Sequence, residues 1–182
     1  MANSTFPLRI GARNGSNPGV IRSLKGNRIP HSFVGGFDWV LKFDILLAGT
    51  LSAATSQEFD LHTYQLANPS ALGSGCLFPA NVKITGSTLY IVELFSGGAV
   101  SACTLEFGDA GDPNGLHTAV DVFTGSALGY RANTTAAAEY GKHFEAAFVP
   151  SVTIRTTTAN VNTLTAGEFW IGLDFEPVPG VS

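Results

Sequence analysis

The alternation of apolar and polar side chains is clearest between Phe37 and Leu47, where Phe37, Trp39, Leu41, Phe43 and Ile45 fall on one face and Asp38, Lys42 and Asp44 on the other. A period of two predicts a half-buried β-strand. The same pattern recurs over 58–66 (EFDLHTYQL), over 152–157 (VTIRTT) and over 168–176 (EFWIGLDFE), with a shorter piece at 117–123 (HTAVDVF). Each reads as a strand. Between Leu89 and Phe95 the run LYIVELF is almost wholly apolar, as in a strand covered on both faces, and 100–107 alternates again. Gly86-Ser87 and Gly97-Gly98 supply turn freedom, so 81–107 is predicted to be a three-stranded meander.

Helical periodicity is nearly missing. Only 133–148 (NTTAAAEYGKHFEAAF) has helix-forming composition, and Gly141 interrupts it, which predicts one short helix or an irregular excursion. The final PVPGVS is predicted to leave the ladder at its prolines. About eight strands separated by turn-rich segments give the expected fold: all-β, an antiparallel β-sandwich of jelly-roll-like type.

The first 32 residues break this pattern. They hold four glycines and three prolines with scattered Phe6, Leu8, Ile10, Val20, Ile21, Leu24 and Ile29, too irregular for a folded layer. The organisation read from the chain is therefore an extended N-terminal arm (1–32), a sandwich domain (33–176) and a short tail (177–182) within 182 residues.

Charge sharpens that division. The net charge is only −4, yet Arg9, Arg13, Arg22, Lys25 and Arg28 all lie in the arm, and the first acidic residue is Asp38. The arm carries +5. The rest holds five basic residues against all 14 acidic ones, a balance of −9. A basic arm on an acidic body predicts a segment that reaches over a negatively charged neighbour, another copy of the same body among the candidates.

Motifs for chemistry are few. There is no GxSxG elbow, no phosphate-binding GxxxxGK[ST] or GxGxxG, and His31, His62, His117 and His143 lack metal-ligand spacing. Asp38 and Asp44, or Asp174 and Glu176, could serve as a glycosidase pair, but a solvated strand face accounts for them. The loop GDAGDPNGL offers Asp109, Asp112 and Asn114 as hard oxygen ligands for calcium. Its spacing is not that of an EF-hand, and Asp-Pro followed by Asn-Gly is ordinary turn chemistry. Cys76 and Cys103, without CxxC spacing, read as buried free thiols. The expectation is a non-enzyme without cofactor. No run reaches the ~18–20 apolar residues that span a bilayer, and the start lacks a secretory pattern, so a soluble cytosolic product without membrane contact is expected. Nucleic acid is a second partner for a basic arm, disfavoured by the lack of a dense Arg/Lys run and by the acidic body.

The run LYIVELFSGGAVSACTLEFGDAGDPNGL, together with Thr165-Ala166-Gly167-Glu168-Phe169, resembles small all-β virion proteins of tailed bacteriophages over roughly residues 80–176. The resemblance implies a non-enzymatic capsid decoration (cement) protein, made in the host cytoplasm and located on the capsid surface. Its partner would be the major capsid protein, and it would form a homo-oligomer, with a trimer favoured. Two alternatives stay open. One is a tail, fibre or carbohydrate-binding component with Trp39, Trp170 or Tyr130 as stacking platforms; the other is a small jelly-roll coat protein whose arm holds genome.

Overall fold

The structure, a computed structural model, describes residues 20–22, 28–30, 39–68, 81–132, 143–144 and 149–178. Arg9, Arg13, Lys25, Cys76, Asp38 and the helix expected over 133–148 lie outside these residues, save for His143–Phe144, which is strand.

Eleven strands are described. β1 (Val20–Arg22) and β2 (Arg28–Pro30) pair antiparallel with each other, so this part of the arm is a small hairpin rather than a single extended segment. The body is built from β3 (Trp39–Asp44), β4 (Ser56–Asp60), β5 (Val82–Ser96), β6 (Ala102–Gly108), β7 (His117–Asp121), β8 (Gly129–Ala132), β9 (His143–Phe144), β10 (Ser151–Thr157) and β11 (Ala166–Pro177). One sheet has the order β4-β10-β6-β7. The other has the order β3-β11-β5-β8, with β9 also pairing with β5.

The pairings are nested. β6 pairs with β7, β5 with β8, β4 with β10 and β3 with β11, all antiparallel, and successive pairs alternate between the two sheets. Ladders β6·β10 and β5·β11 then join the pairs within each sheet. The chain therefore folds as a long ribbon wound over itself, which makes an all-β sandwich.

Between the sheets lies one apolar core. Trp39, Leu41 and Phe43 of β3 and Phe169, Ile171 and Leu173 of β11 face Cys103, Leu105 and Phe107 of β6 and Val152 and Ile154 of β10 across it. Phe43 is its hub: its ring stacks on Tyr64 at 4.6 Å and on Phe169 at 4.9 Å, and meets Phe59 edge-on at 5.2 Å. Offset and edge-to-face arrangements of this kind match the aromatic quadrupole.

Several sequence expectations are corrected here. The predicted meander over 81–107 is not one sheet. Gly86-Ser87 makes no turn; β5 runs straight through it, with a register shift against β11 beside Asp174. A glycine inside a strand marks such an irregularity as readily as a turn. Gly97-Gly98 does turn the chain, but it carries it into the opposite sheet, so β5 and β6 are not hydrogen-bonded neighbours. Gly97 has φ +150°, and a β-carbon there would run into the Thr163 carbonyl. Only glycine fits.

The strand predicted over 58–66 ends at Asp60, and a helix spans Leu61–Ala67. Asp60 is its N-cap, its carboxylate accepting from the Thr63 amide at 2.9 Å, while the Leu61 amide donates to the Pro150 carbonyl at 3.1 Å. The cap satisfies an otherwise orphaned donor and so favours the helix over continued extension. Leu61 and Tyr64, one turn apart, then reach the core. Lastly, Pro177 does not end the ladder: it is paired with Val82, and the Val178 amide donates to the Asn81 carbonyl, while Pro179 lies outside the described residues. β8, unmarked in the sequence reading, completes the second sheet.

Candidate functional site

The two outer faces of the sandwich differ in kind. On the β3-β11-β5-β8 sheet, alternation turns Val40, Lys42 and Asp44 of β3 and Glu168 and Trp170 of β11 away from the core, and all of them are nonetheless buried. Lys42 Nζ lies 3.1 Å from Glu168 Oε2, with the carboxylate wholly inaccessible to solvent. This corrects two expectations. The polar side of β3 is not a solvated face, and Trp170, at 1% exposure, is no stacking platform. Trp39 is core. Of the three candidate platforms only Tyr130 is open, at 47%, and its ring already packs edge-on against Tyr90 at 4.9 Å.

The outer face of the β4-β10-β6-β7 sheet has an exposed rim, Glu58, Asp60, Asp121, Arg155 and Thr157, around buried Ser151 and Thr153. Val152 and Ile154 point into the core, so Ser151, Thr153, Arg155 and Thr157 form the outward row of β10. Register sets Thr153 between Glu58 of β4 and Glu106 of β6, Ser151 between Asp60 and Gly108, and Arg155 between Ser56 and Thr104. Asp121 follows Thr104 on β7. The Arg155 guanidinium donates to Glu106 Oε2 at 2.9 Å and to Ser56 Oγ at 3.2 Å. Four carboxylates thus share this face with one cation.

Two hydroxyls on it are in an unusual state. Thr153 and Ser151 are 4% and 3% exposed, and neither Thr153 Oγ1 nor Ser151 Oγ has a hydrogen-bond partner. Buried polar groups are as a rule hydrogen-bonded, and an unsatisfied one costs stability or awaits a partner. Beside them, an open depression of about 330 Å³ is lined by Thr55, Ser56, Thr104, Arg155 and Thr157. Sequence reading took β10 as a strand but missed this row, because polar residues on an outward face carry no local mark of function.

At one end of the same face sits the aspartate loop. Asp109 Oδ1 accepts from the amides of Gly111 at 2.7 Å and Asp112 at 2.8 Å, and the Asp112 carbonyl accepts from the amides of Asp109 at 3.1 Å and Gly115 at 3.0 Å. Gly108 lies directly beneath, where a β-carbon would collide with the Asp112 carbonyl and Pro113. Asp109 is therefore engaged in holding the turn. Asn114 is exposed, and no cluster of three or more His, Cys, Asp or Glu side chains suited to a metal ion occurs among the described residues.

Of the basic candidates, Arg22 and Arg28 fall in the described hairpin, where register makes them direct partners next to its connecting loop.

Cys103 is free and fully buried, as expected of a packing thiol. Burial, with the Asp121 charge adding to it, pushes its pKa up to about 12. The thiolate is the reactive form. Native protein treated with iodoacetamide at pH 8 should leave the Cys103 peptide unmodified by mass spectrometry, and unfolding in guanidinium should make it fully reactive. Labelling in the native state at the rate of a free thiol would contradict the packing described. His117, also buried, ties β7 to β8: Nδ1 lies 2.9 Å from the Thr118 carbonyl and Nε2 lies 3.1 Å from that of Arg131.

Compared with protein-family models, with curated proteins and with solved structures, the chain matches none.

Proposed function

We propose that this chain is a non-enzymatic structural protein of a tailed-phage virion, which binds the outside of the capsid and stabilises it by bridging capsomers, with the N-terminal arm as its attachment segment. The observation that carries the reading is the division of charge along the chain, +5 before Asp38 and −9 from there on, beside a sandwich with one apolar core. The arm, with +5 and spaced apolar residues, is read as the segment that makes the attachment contacts. Attachment of many copies through such arms multiplies modest individual affinities.

The nested pairing of β3 to β11 supports reading the sandwich as jelly-roll-like, an architecture found in viral capsid and lectin domains among others. Fold alone does not choose a function. The winding does favour one second reading, a small jelly-roll coat protein whose arm contacts genome. The carbohydrate reading loses ground because Trp39 and Trp170 are buried.

The test uses the full chain with Arg9, Arg13, Arg22, Lys25 and Arg28 all changed to Gln. Wild type should co-sediment with shells of the major capsid protein from the same phage and raise their melting temperature. The substituted chain should remain folded by circular dichroism and lose both effects. Undiminished co-sedimentation would overturn the arm's role, and a virion whose shell is made of this chain itself would establish the coat reading.

A further inference from the structure

We infer that the outer face of the β4-β10-β6-β7 sheet is the seat for the basic N-terminal arm of a second copy of this chain, with an arm cation set between Glu58 and Glu106 above the Thr153 hydroxyl. The inference rests on the reading of the arm as an attachment segment and names a surface it attaches to: neighbouring copies link arm to face.

Charge complementarity is the first support. Among the described residues the face presents Glu58, Asp60, Glu106 and Asp121 against Arg155, and the arm presents five cations with no carboxylate before Asp38. The second is the pair of unpartnered hydroxyls, Thr153 Oγ1 and Ser151 Oγ, both more than nine-tenths buried on the outward row. A guanidinium carries five donors in a planar fork, enough to engage two carboxylates and a hydroxyl together. Glu58 and Glu106 are two strand spacings apart, roughly 9–10 Å at their backbones, which leaves room for such a group between their side chains.

Accessibility decides which copy supplies the arm. Glu58, Asp60, Asp121 and Arg155 are exposed in the single chain, so these charges can be reached by another molecule. The arm joins the body at β3, on the edge of the opposite sheet.

The test is a charge swap in the full chain, read by sedimentation velocity. Wild type should self-associate at low salt and weaken about ten-fold or more when salt shortens the Debye length to ~3 Å. The arm variant (Arg9, Arg13, Arg22, Lys25 and Arg28 to Glu) and the face variant (Glu58→Lys with Asp121→Lys) should each lose association by about ten-fold or more, since each now sets like charge against like. Mixed together, they should associate again, because each offers the complement of the other. Thr153→Val guards against loss of fold: it removes the hydroxyl with little change of shape, should keep or raise the melting temperature, and should still weaken association. A wild type that stays monomeric at all salts, variants that associate as wild type does, or a mixture that fails to recover would overturn the inference. So would salt-sensitive binding of wild type to DNA without self-association, which would assign the arm to phosphate. Shell co-sedimentation of the same proteins separates the two readings: self-association without shell binding removes the capsid function and leaves the arm–face contact standing, whereas shell binding without self-association removes this contact alone.

Discussion

Phe43→Ala should destabilise the protein by about 3–5 kcal/mol, the range seen when a fully buried aromatic is truncated and its cavity cannot collapse. Collapse is hindered here because the ring is held from three sides by Tyr64, Phe169 and Phe59, which come from a helix and from both sheets. For a domain of this size the corresponding fall in melting temperature is roughly 6–20 °C. Phe43→Leu retains most of the apolar volume and should cost less than half as much. Urea denaturation of the three proteins checks both figures; a loss under about 1 kcal/mol for Phe43→Ala would mean that β3 is not seated in the core as described. Tyr64 gives a second handle on the same cluster. Its hydroxyl accepts from the Asp44 amide at 2.9 Å, and burial pushes its pKa up to about 12.

Lys42→Met should be comparably severe, about 3–5 kcal/mol, for an electrostatic reason. The substitution removes the ammonium 3.1 Å from a Glu168 carboxylate that has no solvent exposure, and so strips a buried charge of its ion-pair partner. An exposed pair would behave differently. Arg155 with Glu106, about half exposed on the arginine side, or Lys83 with Glu176 at 4.0 Å, should contribute no more than about 0–1 kcal/mol. The double change Lys42→Met with Glu168→Met removes both charges and should recover most of the loss, since replacing a whole buried pair by apolar groups is often neutral or stabilising. Chemical denaturation of the single and double variants, run as a double-mutant cycle, measures the coupling. If Lys42→Met cost less than about 1 kcal/mol, the pair would be solvated and the outer face of its sheet open.

The contrast between these two faces could not be read locally. In β3 and in β10 the outward residues are polar by sequence, Lys42 and Asp44 in one and Thr153 and Arg155 in the other, yet the first pair is buried and the second row includes exposed Arg155. Alternation separates two sides of a strand. It does not say what lies over either side. For the same reason Trp170 was expected in the open from its position opposite Phe169 and Ile171 and is instead enclosed. The basic arm and the aspartate loop were visible because charge runs and turn residues are local features. The acidic face was not, because Glu58, Thr153 and Glu106 come from three strands and meet only through cross-strand register.

The helix at Leu61–Ala67 shows a related ambiguity. Over 58–66 the spacing of Phe59, Leu61 and Thr63 suits a strand, while Leu61 and Tyr64 suit one face of a helix. The Asp60 cap and the hydrogen bond from the Leu61 amide to Pro150, a residue far along the chain, settle it.

The sequence by itself determined that the chain builds strands, where β3, β7, β10 and β11 lie, that its interior is apolar and its thiol inert, and that a +5 segment precedes a −9 body. These depend on period, composition and charge, which are properties of short stretches. Only the tertiary structure decided which strands share a sheet, that β5 passes through Gly86 and parts from β6 at Gly97, that one outer face is buried around Lys42 and Glu168, and that the other gathers four carboxylates around two unpartnered hydroxyls. Those outcomes rest on pairings between residues as far apart as Trp39 and Leu173, whose partners no local pattern specifies.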